Sequence, residues 1–263
     1  MQRERWRFSI RRLLFVVAVI AALLGVQIAV RDARDDLSRS QCLNLLKRIG
    51  LGLMTYQNFK GTYPSGTVAN ASLPPEKRLS WYVPASPYMD YGIGDIAKAE
   101  PWDSPANLPY AETEIPIFRC SIGPSRPAKP GPVPTQYVGI AGLGVDAPTL
   151  PKSDRRAGVF GYDRATKIAD IKDGPSTTMM VAETWDARGS WLAGGPATVR
   201  GLDPVRTPYI GPGRQFGGLH RGGVNVLFAD GSVRFISPSI DPHVFEALST
   251  IAGGETLPEG WDR

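Results

Sequence analysis

LLFVVAVIAALLGVQIAV, residues 13–30, and RDARDDLSRSQCLNLLKRIGLGLMTYQNFK, residues 31–60, together decide how this chain folds. The first segment is eighteen residues without a charge, and Gln27 is its only strongly polar member. As a helix it would be about 27 Å long, close to the thickness of a bilayer's hydrocarbon core. A run this long is rare as a core helix in a chain of 263 residues, so residues 13–30 are read as a transmembrane helix. A cleaved signal peptide has the same basic and apolar regions. No small-x-small cleavage site follows Val30, however, where Arg31, Asp32 and Arg34 come at once.

The second segment carries the helix onward. Cys42, Leu45, Ile49, Leu53 and Tyr56 recur at spacings of three, four, four and three, which puts them on one face. Gly50 and Gly52 each cost about 1 kcal/mol against alanine, a cost that a packed face can override. The first proline is Pro64, so one helix can leave the membrane and become the spine of an external domain, with residues 31–60 as the extension. Gly61 suits the left-handed position after a helix end, and Pro64 bars continuation.

Charge sets the orientation. Arg3, Arg5, Arg7, Arg11 and Arg12 against Glu4 give residues 1–12 a basic flank of +4, whereas Arg31, Arg34 and Arg39 are offset by Asp32, Asp35 and Asp36. The positive-inside rule then predicts a single-pass inner-membrane protein. Its N-terminus is cytoplasmic, and residues 61–263 are periplasmic. The chain's formal charge of +5 falls to +1 without the flank, which removes any compositional case for a nucleic-acid partner. The two cysteines, Cys42 and Cys120, fit an oxidising compartment. Either they form one bridge, closing a loop of about 79 residues and contributing roughly 4.5 kcal/mol by chain entropy, or they are two free buried thiols. Neither has a cysteine or histidine near it in sequence, so spacing gives no metal site.

Composition changes after the helix. All 24 prolines lie between Pro64 and Pro258. Residues 64–135 read as a loop-rich insert whose aromatics, including Trp81, Tyr82, Trp102 and Tyr110, need burial. Arg126 to Pro134 is the most linker-like stretch. Short strands are predicted at 136–140 and 178–182. A hairpin joins VNVLFA (224–229) to VRFI (233–236) across Asp230-Gly231-Ser232. Val224, Val226 and Phe228 alternate onto one face, and Val233 and Phe235 do the same on the partner. Asp241 caps a last helix that starts at Pro242 and runs to about Ile251. The predicted fold is α+β: a long N-terminal helix on a small antiparallel sheet, with irregular Pro-rich loops.

Three patches resemble a known family. SQCLNLLKRIG (40–50), continuing to Tyr56 and GTYP (61–64), is the first. Gly158-Val159-Phe160, residues 171–176 and Glu183 make the second; HRGGVNVLFADGSVRF (220–235) with AGGE (252–255) makes the third. The chain is similar to the planctomycete secreted domain-of-unknown-function family 1559, built like type II secretion pseudopilins. The resemblance implies a pilin-like fold, export, and assembly with like subunits through the apolar helix. It also marks His220, Gly222, Gly223, Asp230, Gly231 and Ser232 as a structural signature. Members usually begin with a processing site, a glycine followed by a helix start with glutamate at its fifth position. Arg11-Arg12-Leu13-Leu14-Phe15-Val16-Val17 has neither, which fits a permanent anchor.

Candidate sites are few. His220 could serve as a base, but no sequence partner identifies a nucleophile. The alternatives are a hydrogen bond closing its loop onto the hairpin or contact with a ligand. His243, on the first turn of the last helix, reads as surface. Asp173, Glu183 and Asp230 could converge on calcium through hard oxygen ligands, or the two aspartates are turn residues bonding their own backbone. GIAGLG (139–144) lacks the order of a phosphate loop, and no nucleotide is expected. Trp81, Trp102, Trp185 and Trp191 could floor a glycan groove or anchor loops in the core. No catalytic residue and no cofactor is expected. A membrane-anchored structural or assembly protein leads, ahead of a binding module for polysaccharide or peptide, and of a hydrolase.

Overall fold

A computed structural model describes residues 10–123 and 131–261. The basic flank at Arg3, Arg5 and Arg7 and the linker-like Arg126–Pro130 lie outside the described residues.

Helix α1 runs unbroken from Ile10 to Lys60, 51 residues, or about 77 Å of helix. Its two halves differ in what surrounds them. Among the described residues nothing covers the apolar stretch that starts at Leu13, and one window there is apolar and long enough to cross a membrane. The C-terminal half is the spine of the domain, with Cys42, Leu46, Ile49 and Leu53 fully buried. Cys42, Ile49 and Leu53 of the expected stripe are on the buried face; Leu46 joins them there, and Leu45 and Tyr56 lie at its margin, half-buried. The two helical glycines are explained by proximity. A Cβ on Gly50 would meet Leu227 Cδ1 at 2.6 Å, and one on Gly52 would meet Met89 Cγ at 2.3 Å. Gly61 closes the helix with φ +77°, its N–H donating to Gln57 O at 2.7 Å.

Five strands form one sheet in the order β3-β1-β2-β4-β5. They are β1 Tyr137–Leu143, β2 Met179–Glu183, β3 Val199–Leu202, β4 Val224–Phe228 and β5 Val233–Ile236. The expected sheet was antiparallel; this one is mixed, because β3 runs parallel to β1 at the edge. Val199–Leu202 has too little period-2 pattern to announce itself: Arg200 and Gly201 are buried by neighbours rather than by alternation.

The sheet has two covered faces. Tyr137, Ala141, Val181, Val199 and Leu227 belong to the core shared with α1. Val138, Ile140, Ala182, Leu202, Val224, Val226 and Phe228 pack instead with Val244, Phe245 and Leu248 around a short helix. In the hairpin, Leu227 pairs with Val233 and Asn225 with Phe235. Directly paired residues share a face. Val233 and Phe235 therefore face α1, opposite to Val224, Val226 and Phe228. The turn is made by Gly231 at φ +84°, with Asp230 Oδ1 accepting from Ser232 N at 2.8 Å and Ser232 Oγ at 2.6 Å.

The remaining helices are α2 (Tyr82–Ala85), α3 (Leu108–Ala111) and α4 (Pro242–Ala247). Asp241 caps α4 by accepting from His243 N at 2.8 Å. Helix α4 ends before the expected Ile251, because Ile251 turns into the α1-side core and its N–H donates to Ala157 O at 2.9 Å. The described part of the Pro-rich insert is ordered around stacked aromatics. Trp81 lies on Tyr82 at 3.8 Å, Tyr82 on Phe118 at 4.1 Å, and Phe118 near Trp191 at 5.5 Å between ring centroids.

Candidate functional site

Four elements meet where α1 crosses the end of β2. Helix α1 supplies Cys42; Cys120 follows a 3₁₀ turn at Pro116–Phe118. Glu183 is the last residue of β2, and its register opposite Tyr137 turns it toward α1. His220 precedes β4, held by a bridge to Gly223.

Cys42 and Cys120 are joined by a disulfide, with Cα atoms 5.1 Å apart. His220 Nε2 lies 3.4 Å from Cys120 Sγ and 3.5 Å from Glu183 Oε1. The imidazole side chain is 2% exposed and the carboxylate 0%. Glu183 also accepts from Asn225 N at 3.0 Å and Asn225 Nδ2 at 3.1 Å. No lysine or arginine bonds to Glu183 among the described residues. The nearby Tyr137 hydroxyl donates to Cys42 O at 3.3 Å. Burial, with the Glu183 charge adding, pushes that phenol well above its ordinary value, so it stays a neutral donor. Gln136 Oε1 holds the Cys120 N–H at 3.2 Å, and His220 Nδ1 is buried without a partner among the described residues.

Two surface clefts reach this cluster. One is bordered by Cys120 with Gln41, Arg48 and Glu114; the other by His220 with Asp32, Asp35 and Asp36. Arg221 closes the second cleft against the helix stem, its guanidinium 2.8 Å from Asp32.

The acidic trio weighed as an alternative calcium site does not converge. Glu183 ends β2 at the disulfide, whereas Asp173 precedes that strand. Asp173 accepts from Gly253 N at 2.7 Å, Gly254 N at 3.0 Å and Thr250 Oγ1 at 3.3 Å. Asp230 serves its own hairpin turn. A calcium site at Asp173, Glu183 and Asp230 is corrected accordingly: the strand separates the carboxylates, and each aspartate is occupied with backbone N–H groups. The tryptophans do not form a groove either. Trp81 and Trp191 are buried, with Nε1 donating to Thr198 O at 3.1 Å and Thr113 O at 3.0 Å. Trp102 is half-buried, its Nε1 donating to Glu76 O at 2.9 Å, and Trp185 alone of the four is exposed. GIAGLG lies along β1, where the sharp approach at Gly142 admits the Arg156 carbonyl. His243 is on the surface, 3.2 Å from Glu246.

The convergence of Cys42, Cys120, Glu183 and His220 was not foreseen. The signal was present: the three patches that carry the family resemblance contribute Cys42, Glu183 and His220 respectively. The four donor atoms, two sulfurs, one carboxylate oxygen and one ring nitrogen, all lie within 4.8 Å of one another. Such a set can hold a soft divalent metal or frame a disulfide.

A family model described as a protein of unknown function (DUF1559) matches residues 31–205 and 194–243. Its match begins just beyond the apolar run and takes in all four residues of the cluster. No curated protein and no solved structure matches the chain.

Proposed function

The chain belongs to the DUF1559 family of proteins of unknown function, and we propose that it works as a membrane-tethered, pseudopilin-like envelope protein with a structural or assembly role rather than an enzymatic one. The observation that carries this reading is the division of α1 into a bare apolar half and a buried half within one unbroken helix. A water-exposed run of this kind would cost about 25 cal/mol per Å² of apolar surface, which lipid removes. The basic flank at residues 1–12 keeps the N-terminus cytoplasmic and sends the domain outward. Residues 11–17 lack the glycine and the fifth-position glutamate of a processed helix start, which favours a permanent anchor over a cleaved one. Lipid and like subunits then share the same surface of α1. Because α1 is unbroken from the apolar run into the core, the domain follows directly from the anchor without a linker.

Substituting Val19→Arg together with Leu23→Arg tests this. Each arginine near the middle of a spanning helix costs about 2.5–3.5 kcal/mol on insertion. The wild-type chain stays with membranes through a carbonate wash, and the double variant does not. A wild-type chain that is dissolved in buffer without detergent contradicts the proposal.

A further inference from the structure

We propose that the dithiol form of this chain binds one zinc-class divalent ion through Cys42 Sγ, Cys120 Sγ, a Glu183 carboxylate oxygen and His220 Nε2, the disulfide being the oxidised, metal-free alternative. This goes beyond the tether and does not depend on it.

Geometry points there first. Zinc–ligand bonds of about 2.0–2.3 Å imply neighbouring donors roughly 3.3–3.8 Å apart at a tetrahedral centre. Cys120 Sγ to His220 Nε2 is 3.4 Å and His220 Nε2 to Glu183 Oε1 is 3.5 Å. Two edges of the tetrahedron are therefore in place, and all four donors lie within 4.8 Å. The two sulfurs must part, and donor pairs wider than about 3.8 Å must close, by rotation of the ligand side chains.

Chemistry points there next. A disulfide needs no carboxylate and no imidazole beside it. Burying Glu183 completely, with no lysine or arginine bonded to it among the described residues, is unfavourable unless something positive sits close by. The His220 ring 3.5 Å away is positive only when protonated; a divalent ion supplies the charge with the imidazole neutral. The carboxylate is oriented from behind by the N–H and Nδ2 of Asn225, one on each oxygen, as ligating carboxylates commonly are. Gln136 fixes the Cys120 backbone in the same way. The four ligands come from α1, the loop before residue 121, β2 and the loop before β4. The ion would cross-link the helix spine to the sheet through Glu183, whereas the disulfide ties the spine to the loop at Cys120. Both clefts described above give access, one at Cys120 and one at His220.

The exchange balances. A dithiol reductant gives two electrons and two protons to the bridge, which becomes two thiols as the reductant becomes a disulfide. The incoming ion displaces both thiol protons to solvent. The filled site then holds two thiolates, one carboxylate, a neutral imidazole and the dication.

The test uses the full chain in detergent. It is reduced with a phosphine under anaerobic conditions and titrated with cobalt(II), then zinc(II). The expected result is one equivalent of cobalt, a near-ultraviolet thiolate-to-cobalt band, intense visible bands of tetrahedral cobalt, and their loss on zinc addition. The oxidised chain shows none of these bands. His220→Ala and Glu183→Gln each weaken zinc binding at least tenfold, and Asn225→Ala, a positioning change, weakens it by about 10–100-fold. If reduction unfolds the chain, zinc should restore its circular dichroism and thermal transition. The proposal is overturned by a folded dithiol chain without the thiolate–cobalt band. It is equally overturned by an unfolded one that zinc does not rescue, or by binding unaffected by His220→Ala and Glu183→Gln.

Discussion

Gly52 of α1 and Met89 stand so close that a Cβ on the glycine would lie 2.3 Å from Met89 Cγ, with Tyr88 O only 3.0 Å away. Two opposing effects meet here. Alanine would gain about 1 kcal/mol of helix propensity, but overpacking a filled site costs about 1–3 kcal/mol. The backbone carbonyl cannot step aside as a side chain can, so packing wins. Gly52→Ala should lower the thermal midpoint of the detergent-solubilised chain, whereas Gly25→Ala, with nothing within 4 Å, should leave the domain's unfolding unchanged. A Gly52→Ala variant as stable as wild type would show that the helix does not approach Met89 this closely.

Tyr63 ties the exit of α1 to the hairpin, its hydroxyl donating to Ala229 O at 2.6 Å in a buried position. Tyr63→Phe strands that carbonyl, with an expected cost of about 1–3 kcal/mol at neutral pH. Burial, with Asp230 adding, pushes the phenol from 10.0 to about 12. Between those values the folded chain keeps a proton that the unfolded chain has lost, so this contribution is complete below pH 10 and falls as pH rises through 12. The margin of wild type over Tyr63→Phe in urea unfolding should shrink across that window. A margin that is flat or widens there would contradict the assignment.

The Cys42–Cys120 bridge closes a loop of 78 residues in sequence separation. Chain entropy gives roughly 4.5 kcal/mol for such a loop. Cys42→Ala with Cys120→Ala should therefore lower unfolding stability by about 3–5 kcal/mol when no metal is added. A change under 1 kcal/mol would mean that α1 and the loop at Cys120 are held together without the cross-link.

Two charged contacts rank in opposite order to their visibility. Arg221 and Asp32 form an exposed pair, so Arg221→Ala should cost no more than about 1 kcal/mol. Asp173 accepts from the Gly253 and Gly254 N–H groups and from Thr250 Oγ1. Asp173→Ala should cost at least about 1.5–3 kcal/mol and loosen residues 250–254, measurable by amide exchange. Equal effects from the two substitutions would overturn this ordering.

Much of the architecture was legible. The uncharged run at 13–30, the spacing of Cys42, Ile49 and Leu53, Gly61 and the Asp230-Gly231 turn are local signals, and each acts within a few residues of itself. What stayed hidden depends on contacts between distant segments. Gly50 and Gly52 read as helix weaknesses until Leu227 and Met89 are seen against them. Edge strand Val199–Leu202 is defined by its parallel partner rather than by its own pattern. Glu183 could be one of three oxygen ligands by sequence, yet the strand that carries it takes it away from Asp173 and Asp230 and toward His220. Sequence separation hides Cys120 from His220 by 100 residues, a gap that only the fold closes.

The proposed topology puts the domain at the end of α1 beyond the inner bilayer. It is tested most directly by adding an epitope after Arg263 and treating intact host cells, with the outer barrier opened, with protease. The account predicts loss of the epitope while a cytoplasmic control protein survives. An epitope that persists until the inner membrane is lysed, or that appears in the soluble cytoplasmic fraction, would contradict it.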